Sequence, residues 1–152
     1  MKFTIMSQKL AETSDGNGKF LISITDPEKP KPAFVYKWND ILRLEFEDLC
    51  PDECKSIGRG DLLINAQLFS ENDAVKILDF IAKVAKRDDN AEVVVHCKMG
   101  VSRSAAVALF LAEKFGEITN PPEYIKKHCR PNPYVIKTLA QIYNASVSKE
   151  TN

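Results

Sequence analysis

The chain has 152 residues, of which 44% are hydrophobic and 28% are charged. This length and composition fit one globular domain that can bury a core without disulfides or metals. Lys plus Arg and Asp plus Glu both total 21, so the net charge is zero at pH 7. The balance argues against a broad nucleic-acid or polybasic membrane surface, but a small local anion pocket remains compatible with it.

The N-terminal segment, residues 1–16, has no long apolar core and no small-residue cleavage site, so no signal peptide is predicted. The longest apolar run, residues 105–112, is too short to cross a bilayer. We therefore expect a cytoplasmic protein whose four cysteines are free thiols. We also expect a monomer with no nucleic-acid or membrane partner.

Four segments are predicted as strands, and they are 2–7, 20–25, 41–46 and 91–96. The last is a β-branched run without alternation, which is typical of a central strand covered on both faces. Residues 26–32 carry three prolines and are predicted as a surface connection. Residues 47–61 are polar and glycine-containing, and they are predicted as a long loop.

Helices are predicted between and after these strands. Ser70 and Asp73 resemble a capping box that opens a helix of about four turns. Further helices are predicted over 102–115, over 121–128 and from Pro133, followed by a polar, frayed tail from about residue 146. The alternation predicts a single α/β domain over 1–152, with a mainly parallel central sheet flanked by helices.

The sequence His96-Cys-Lys-Met-Gly-Val-Ser-Arg-Ser104 lies where the predicted central strand runs into a helix. In parallel sheets ligands bind outside the carboxyl ends of the strands. Backbone N–H groups at a helix N-terminus favour anions, and Gly100 can adopt the positive φ that a tight curl requires. The fork of Arg103 suits two phosphate oxygens. We call residues 97–103 the anion loop and predict that it binds a doubly negative oxyanion; its predicted binding residues are Lys98, Met99, Gly100, Val101, Ser102 and Arg103.

Cys97 is predicted to be a reactive thiolate, because the helix N-terminus and Arg103 both lower the pKa of a cysteine. A thiolate beneath a bound phosphate is placed for in-line attack, which would give a phosphocysteine that water then hydrolyses. Ser104 can donate a hydrogen bond to the sulfur, and His96 can orient the loop through its imidazole N–H. No cofactor and no metal are needed for this chemistry.

The nine residues resemble the His-Cys-x5-Arg-Ser/Thr signature of the cysteine-dependent protein phosphatases. They are most similar to the dual-specificity branch, and in particular to a slingshot-type loop. Residues 130–139 and the predicted helix after Ser70 also resemble that branch, so the resemblance covers about residues 41–143. It implies the phosphatase-type α/β fold, and it implies that Asn132 braces the anion loop by hydrogen bonds.

The resemblance also implies a general acid on a loop after an earlier strand, about thirty residues before the nucleophile. Asp48 is nominated because it follows the predicted strand 41–46, although it lies 49 residues before Cys97. Its loop would then be longer than is usual in the family. Glu47, Asp52 and Asp61 remain alternatives.

Cys50 and Cys54 form a Cys-x3-Cys pair that invites comparison with zinc sites. No second closely spaced ligand pair accompanies them, and a shared zinc would consume the Cys97 thiolate, so no metal site is predicted. One of these thiols is a candidate for a reversible disulfide with Cys97.

These observations predict a phosphatase that acts on a phosphorylated protein substrate. Phosphotyrosine is the expected substrate, with phosphoserine and phosphothreonine as possible additions. Two alternatives remain, namely a non-catalytic phosphate-binding module and a phosphoinositide or RNA 5′-phosphatase that uses the same loop. The lipid alternative ranks lower because Lys98 is the one lysine of the loop.

Overall fold

The computed structural model describes residues 1–150 and contains a five-stranded sheet. The strands are β1 (Lys2–Ser7), β2 (Phe20–Thr25), β3 (Asp40–Glu45), β4 (Glu92–Cys97) and β5 (Glu117–Ile118). Their order is β3-β2-β4-β1-β5, and every pairing is parallel. The prediction of an α/β fold with a mainly parallel central sheet is confirmed. The four predicted strands lie within one residue of their expected bounds, and β5 was not predicted.

Six α-helices connect or follow these strands. They are α1 (Gln8–Thr13), α2 (Pro51–Ser56), α3 (Glu71–Arg87), α4 (Arg103–Phe115), α5 (Pro122–His128) and α6 (Pro133–Glu150). The predicted capping box of α3 is present, since Ser70 Oγ accepts from the Asp73 N–H and the Asp73 carboxylate accepts from the Ser70 N–H. Gly116 follows α4, as expected.

The prediction of a long loop over 47–61 is wrong in part. This stretch contains α2, whose first residue is Pro51. It also contains the start of a 3₁₀ turn over Gly60–Leu63. Cys54 is the buried residue of α2. A helix of fewer than two turns is too short to show a repeating pattern of apolar residues, so it could not be recognised from the sequence.

The prediction of a frayed tail from residue 146 is also wrong as far as residue 150. Helix α6 continues to Glu150, although its last residues are exposed and polar, as the sequence indicates. Residues 151 and 152 lie outside the described part of the chain.

The two faces of the sheet are covered unequally. One face, with α3, α4 and α6, holds the main core, to which β4 contributes Val93, Val95 and Cys97. The opposite face holds a smaller cluster of Leu21, Trp38 and Val94. Because side chains alternate along a strand, Cys97 and His96 project to opposite faces.

The carboxyl ends of β1 to β4 lie at one edge of the sheet, as the register of their parallel pairing requires. The segments that follow β2, β3 and β4 therefore start close together, and they begin with Asp26, Phe46 and the anion loop. No helix within residues 1–150 combines the length and apolar character needed to cross a membrane.

Candidate active site

The anion loop joins β4 to α4, as the sequence predicts. Gly100 has φ +70°, and a Cβ built at this position would lie 2.8–2.9 Å from backbone atoms of Met6 and Ser7. The position therefore requires glycine for both its dihedral angle and its close approach to β1. Within residues 1–150, the backbone N–H groups of residues 99–103 have no carbonyl acceptor, which leaves them available to an anion.

Cys97 is buried at the base of this loop and is 2% exposed. Its sulfur lies 3.1 Å from Ser104 Oγ. Burial raises the pKa of the thiol, but the hydrogen bonds of Ser104, the charge of Arg103 and the Gly100 N–H together outweigh burial, so the pKa is lowered overall. The site therefore stabilises the thiolate, the nucleophilic form, more than an ordinary cysteine environment does.

His96 lies behind the loop, fully buried on the opposite face of the sheet. Its Nδ1 is 3.1 Å from the Cys97 carbonyl oxygen, and its Nε2 is 2.6 Å from Ser23 Oγ. Burial lowers the pKa of the imidazole. A neutral ring with a proton on Nδ1 satisfies both contacts, since Nδ1 then donates to the carbonyl and Nε2 accepts from the serine hydroxyl.

Arg103 is 5% exposed, and one nitrogen of its guanidinium carries all its described contacts. Nη1 donates to Asp26 Oδ1 at 2.8 Å and to the Phe46 carbonyl at 2.9 Å. Nε is buried and has no hydrogen-bond partner among residues 1–150. The side chain is thus fixed through Nη1, while a buried N–H donor at the base of α4 remains free for an anion.

Asp48 lies beside the anion loop. Its Oδ1 accepts from Ser102 Oγ at 2.8 Å and from Asn132 Nδ2 at 2.9 Å. The carboxylate is exposed, and it lies three residues beyond β3. The nominated acid thus accepts a hydrogen bond from the anion loop, through Ser102.

The three alternative acids have other surroundings. Glu47 Oε2 accepts from the Gln67 N–H at 2.7 Å. The Arg59 side chain, 3.0 Å away, lowers the pKa of Asp61, which favours its ionised form. Asp52 is exposed in the first turn of α2. Within residues 1–150, none of the three forms a hydrogen bond or ion pair with the anion loop.

Asn132 makes different contacts from those that the resemblance implies. Its side chain binds Asp48 and the Leu49 carbonyl rather than the anion loop. The contact with the loop is made by the main chain, through the Asn132 N–H to the Ser102 carbonyl at 3.3 Å. Asn132 therefore joins the segment that carries Asp48 to the anion loop.

The remaining cysteines are free thiols in the structure. Cys54 and Cys129 are buried, and Cys50 is half-buried. Burial raises the pKa of Cys129. The part of the chain that the structure describes contains no group of three or more His, Cys, Asp or Glu side chains suited to a metal ion.

A groove beside the anion loop is lined by lysines from three segments. They are Lys9 of α1, Lys29 after β2 and Lys98 of the loop. None of them forms an ion pair with a residue in 1–150. The loop thus contributes one lysine, but the fold adds two.

The sequence matches the model of a known protein family. The family model of the protein-tyrosine phosphatases matches residues 68–146, which include α3, β4, the anion loop and most of α6. The chain belongs to the protein-tyrosine phosphatase family. No curated protein sequence matches this phosphatase-family chain significantly.

Solved structures share the fold of this phosphatase-family chain at low sequence identity. Human DUSP28 superposes with a TM-score of 0.53 at 20% identity, covering 97% of this chain and 94% of its own. The human tyrosine phosphatase-like serine/threonine/tyrosine-interacting protein gives 0.51 at 19% identity, covering 85% and 78%. PTPMT1 in complex with PI(5)P gives 0.51 at 17% identity, covering 88% and 81%.

Two polar residues at this site were missed in the sequence, namely Asp26 and Ser23. Asp26 follows β2 directly, so the rule that parallel strands end at one edge could have placed it near Arg103. Ser23 lies inside an apolar strand, and no sequence signal connects it with His96.

Proposed function

We propose that this chain hydrolyses phosphorylated proteins through a phosphocysteine on Cys97. Phosphotyrosine is the main substrate, with phosphoserine and phosphothreonine as further substrates. Arg103 and the N–H groups of residues 98–103 bind the phosphoryl group, and Asp48 protonates the leaving oxygen. Family membership supports a phosphatase and a phosphotyrosine substrate.

The observation that carries this proposal is the 2.8 Å hydrogen bond from Ser102 Oγ to Asp48 Oδ1. A module that only bound phosphate would need the loop, Arg103 and the Asp26 carboxylate that holds Arg103, but no second carboxylate at Ser102. A carboxylate repels a bound dianion unless it carries a proton, so its presence favours catalysis over binding alone.

In the proposed first step, the Cys97 sulfur forms a bond to phosphorus while the bond from phosphorus to the leaving oxygen breaks. The proton of Asp48 passes to that oxygen. In the second step, the ionised Asp48 takes a proton from water, whose oxygen attacks phosphorus and releases the Cys97 thiolate. Ser104 supports this thiolate, and His96 positions the loop through the Cys97 carbonyl. No metal or cofactor takes part.

The lysine groove supports a second candidate, a phosphoinositide phosphatase. Lys9, Lys29 and Lys98 would face a headgroup with several phosphates, although the loop contributes one lysine. The solved PTPMT1 complex shows that a protein of the same fold binds PI(5)P. The phosphoprotein proposal stays first because the groove also holds Glu12 and Asp26.

We further propose that the chain acts as a cytoplasmic monomer. The four free cysteines support a reducing compartment.

The proposal is tested with purified protein on matched phosphotyrosine, phosphoserine and phosphothreonine peptides, phosphoinositide vesicles and 5′-triphosphorylated RNA. We expect the highest kcat/KM on phosphotyrosine peptides. Cys97→Ser should hydrolyse none of them and still bind inorganic phosphate. Wild-type protein that binds phosphate but hydrolyses nothing would favour the binding module, and preference for vesicles would favour the second candidate.

A further inference from the structure

Asp48 receives two hydrogen bonds on one oxygen. Ser102 Oγ and Asn132 Nδ2 both donate to Oδ1, at 2.8 Å and 2.9 Å. Oδ2 accepts no hydrogen bond from residues 1–150. The two oxygens of the carboxyl group are therefore unequal, with Oδ1 occupied and Oδ2 free.

Within residues 1–150, the Ser102 hydroxyl makes one hydrogen bond, to Asp48. Ser102 stands at the N-cap position of α4, where a serine side chain usually accepts from a helical N–H. Here its side chain makes no such bond and donates to Asp48 instead. A hydroxyl that leaves its own helix uncapped to hold a carboxylate 54 residues away indicates a role in placing that carboxylate.

The orientation of the Asn132 amide is fixed by its other end. Asn132 Oδ1 accepts from the N–H groups of Tyr134 and Val135, at 3.0 Å and 3.4 Å, and so caps α6. The amide nitrogen must then face Asp48, where it also donates to the Leu49 carbonyl at 3.2 Å. Asn132 is 4% exposed, so its side chain is held by its surroundings.

We propose that Ser102 and Asn132 are positioning residues for the general acid Asp48. By occupying Oδ1, they direct the transferable proton to Oδ2 and hold the carboxyl group against the anion loop. This inference rests on the proposed function, because it assumes that Asp48 protonates a leaving group.

The assignment fits both proposed steps. When Oδ2 gives its proton to the leaving oxygen, the new negative charge is stabilised by the two donors already at Oδ1. The same oxygen, Oδ2, then takes the proton of the attacking water. The donors at Oδ1 remain in place throughout, so the acid does not reorganise between the steps.

The test compares two aryl esters that differ in their need for an acid. Phenyl phosphate releases a basic phenolate that requires a proton, whereas 2,4-dinitrophenyl phosphate releases a stable anion. The ratio of kcat/KM for the dinitrophenyl ester to that for the phenyl ester measures how well the acid works. We expect Asp48→Asn to raise this ratio about 100-fold or more, and Ser102→Ala to raise it about tenfold.

Asn132→Asp gives a second, independent variant. Asp at this position keeps an oxygen that can cap α6 but loses the amide donor and sets a second carboxylate beside Asp48. We expect the ratio to rise at least as far as in Ser102→Ala. Ser102→Thr keeps a hydroxyl and should restore the wild-type ratio.

Ser70→Ala is the matched structural control, because it removes a serine cap from α3 away from the anion loop. Its unfolding midpoint should fall while its ratio stays at the wild-type value. Ser102→Ala combined with Asp48→Asn should show no higher ratio than Asp48→Asn alone, because Ser102 acts through Asp48.

The inference is overturned if Ser102→Ala and Asn132→Asp lower kcat/KM by the same factor for the two esters, so that the ratio stays constant. It is equally overturned if neither variant changes kcat/KM for either ester. It is also overturned if Asp48→Asn leaves the ratio unaltered while the wild type cleaves both esters. If the wild type cleaves neither ester nor any phosphopeptide, the proposed function itself fails. These outcomes are distinguishable.

Discussion

The carboxylate of Asp26 and the guanidinium of Arg103 form an ion pair of 2.8 Å between Oδ1 and Nη1. The pair joins the end of β2 to the first residue of α4, and the Phe46 carbonyl binds the same nitrogen. Nη1 is occupied in this way, whereas the buried Nε donates to no residue in 1–150. Asp26 thus fixes the orientation of the guanidinium to which we assign phosphate binding.

We predict that Asp26→Ala lowers kcat/KM on aryl phosphates. The loss of one hydrogen bond to a charged group costs about 1.5–3 kcal/mol, which is roughly ten- to a hundredfold in rate. Steady-state kinetics measure the effect. The matched control is Glu28→Ala, which removes an exposed carboxylate two residues away and should change kcat/KM little. An equal loss of kcat/KM in both variants would mean that Asp26 acts through charge alone and not through Arg103.

We predict that Asp48→Asn lowers kcat about 10²–10⁴-fold, the usual contribution of a general acid or base. KM should change little, because Asp48 acts on the leaving group and on water. The basic limb of the pH–rate profile should flatten, since that limb reports loss of the proton that the acid transfers. Asp52→Asn and Asp61→Asn serve as controls. A large loss in either of them, with Asp48→Asn active, would overturn the assignment of the acid.

The lowered pKa of Cys97 predicts that its thiolate forms at lower pH than an ordinary cysteine, whose reference pKa is 9.0. The difference in ultraviolet thiolate absorbance between wild type and Cys97→Ser gives the midpoint. Ser104→Ala removes a hydrogen bond that lowers this pKa, so its midpoint should lie higher. As a control, the difference in thiolate absorbance between wild type and Cys129→Ser should give a midpoint above 9.0, because burial raises the pKa of Cys129. A Cys97 midpoint at or above 9.0 would contradict the proposed nucleophile.

The buried His96 predicts a pH-dependent stability. Burial holds the pKa of His96 below its ordinary value of 6.5, so the unfolded chain binds a proton more readily than the folded one. The free energy of unfolding should therefore be highest above pH 6.5 and should fall as the pH drops through the folded pKa. Urea unfolding of wild type and His96→Asn at several pH values measures this dependence. His128 is present in both proteins, so the difference between them reports His96. Equal pH slopes for the two proteins would contradict the prediction.

The sequence predicted the sheet well because its strands are apolar runs bounded by turn residues. It missed α1 and α2, each of six residues, because such helices show less than two turns of periodicity. Strand β5 has two residues and pairs only at the start of β1, so it carries no pattern of its own.

The anion loop was predictable because its residues are consecutive and their chemistry is local. Its supports are not local: Asp26 lies 77 residues from Arg103, and Ser23 lies 73 residues from His96. Neither pairing follows from residue spacing, although the position of Asp26 at the end of β2 is a topological signal that Ser23 lacks. The hydrogen bond from the Asn132 side chain to Asp48, rather than to the anion loop, is equally non-local, since it spans 84 residues.

The central claim is that Cys97 is the nucleophile of a phosphoryl transfer. It is tested most directly by mixing Asp48→Asn with 2,4-dinitrophenyl phosphate, quenching with denaturant at alkaline pH, where a phosphocysteine is stable, and locating phosphate by peptide mass spectrometry. The ester needs no acid for the first step, whereas the second step lacks its base, so one phosphoryl group should accumulate on the Cys97 peptide. Release of dinitrophenol with no phosphate on Cys97, or with phosphate on another residue, would contradict the mechanism.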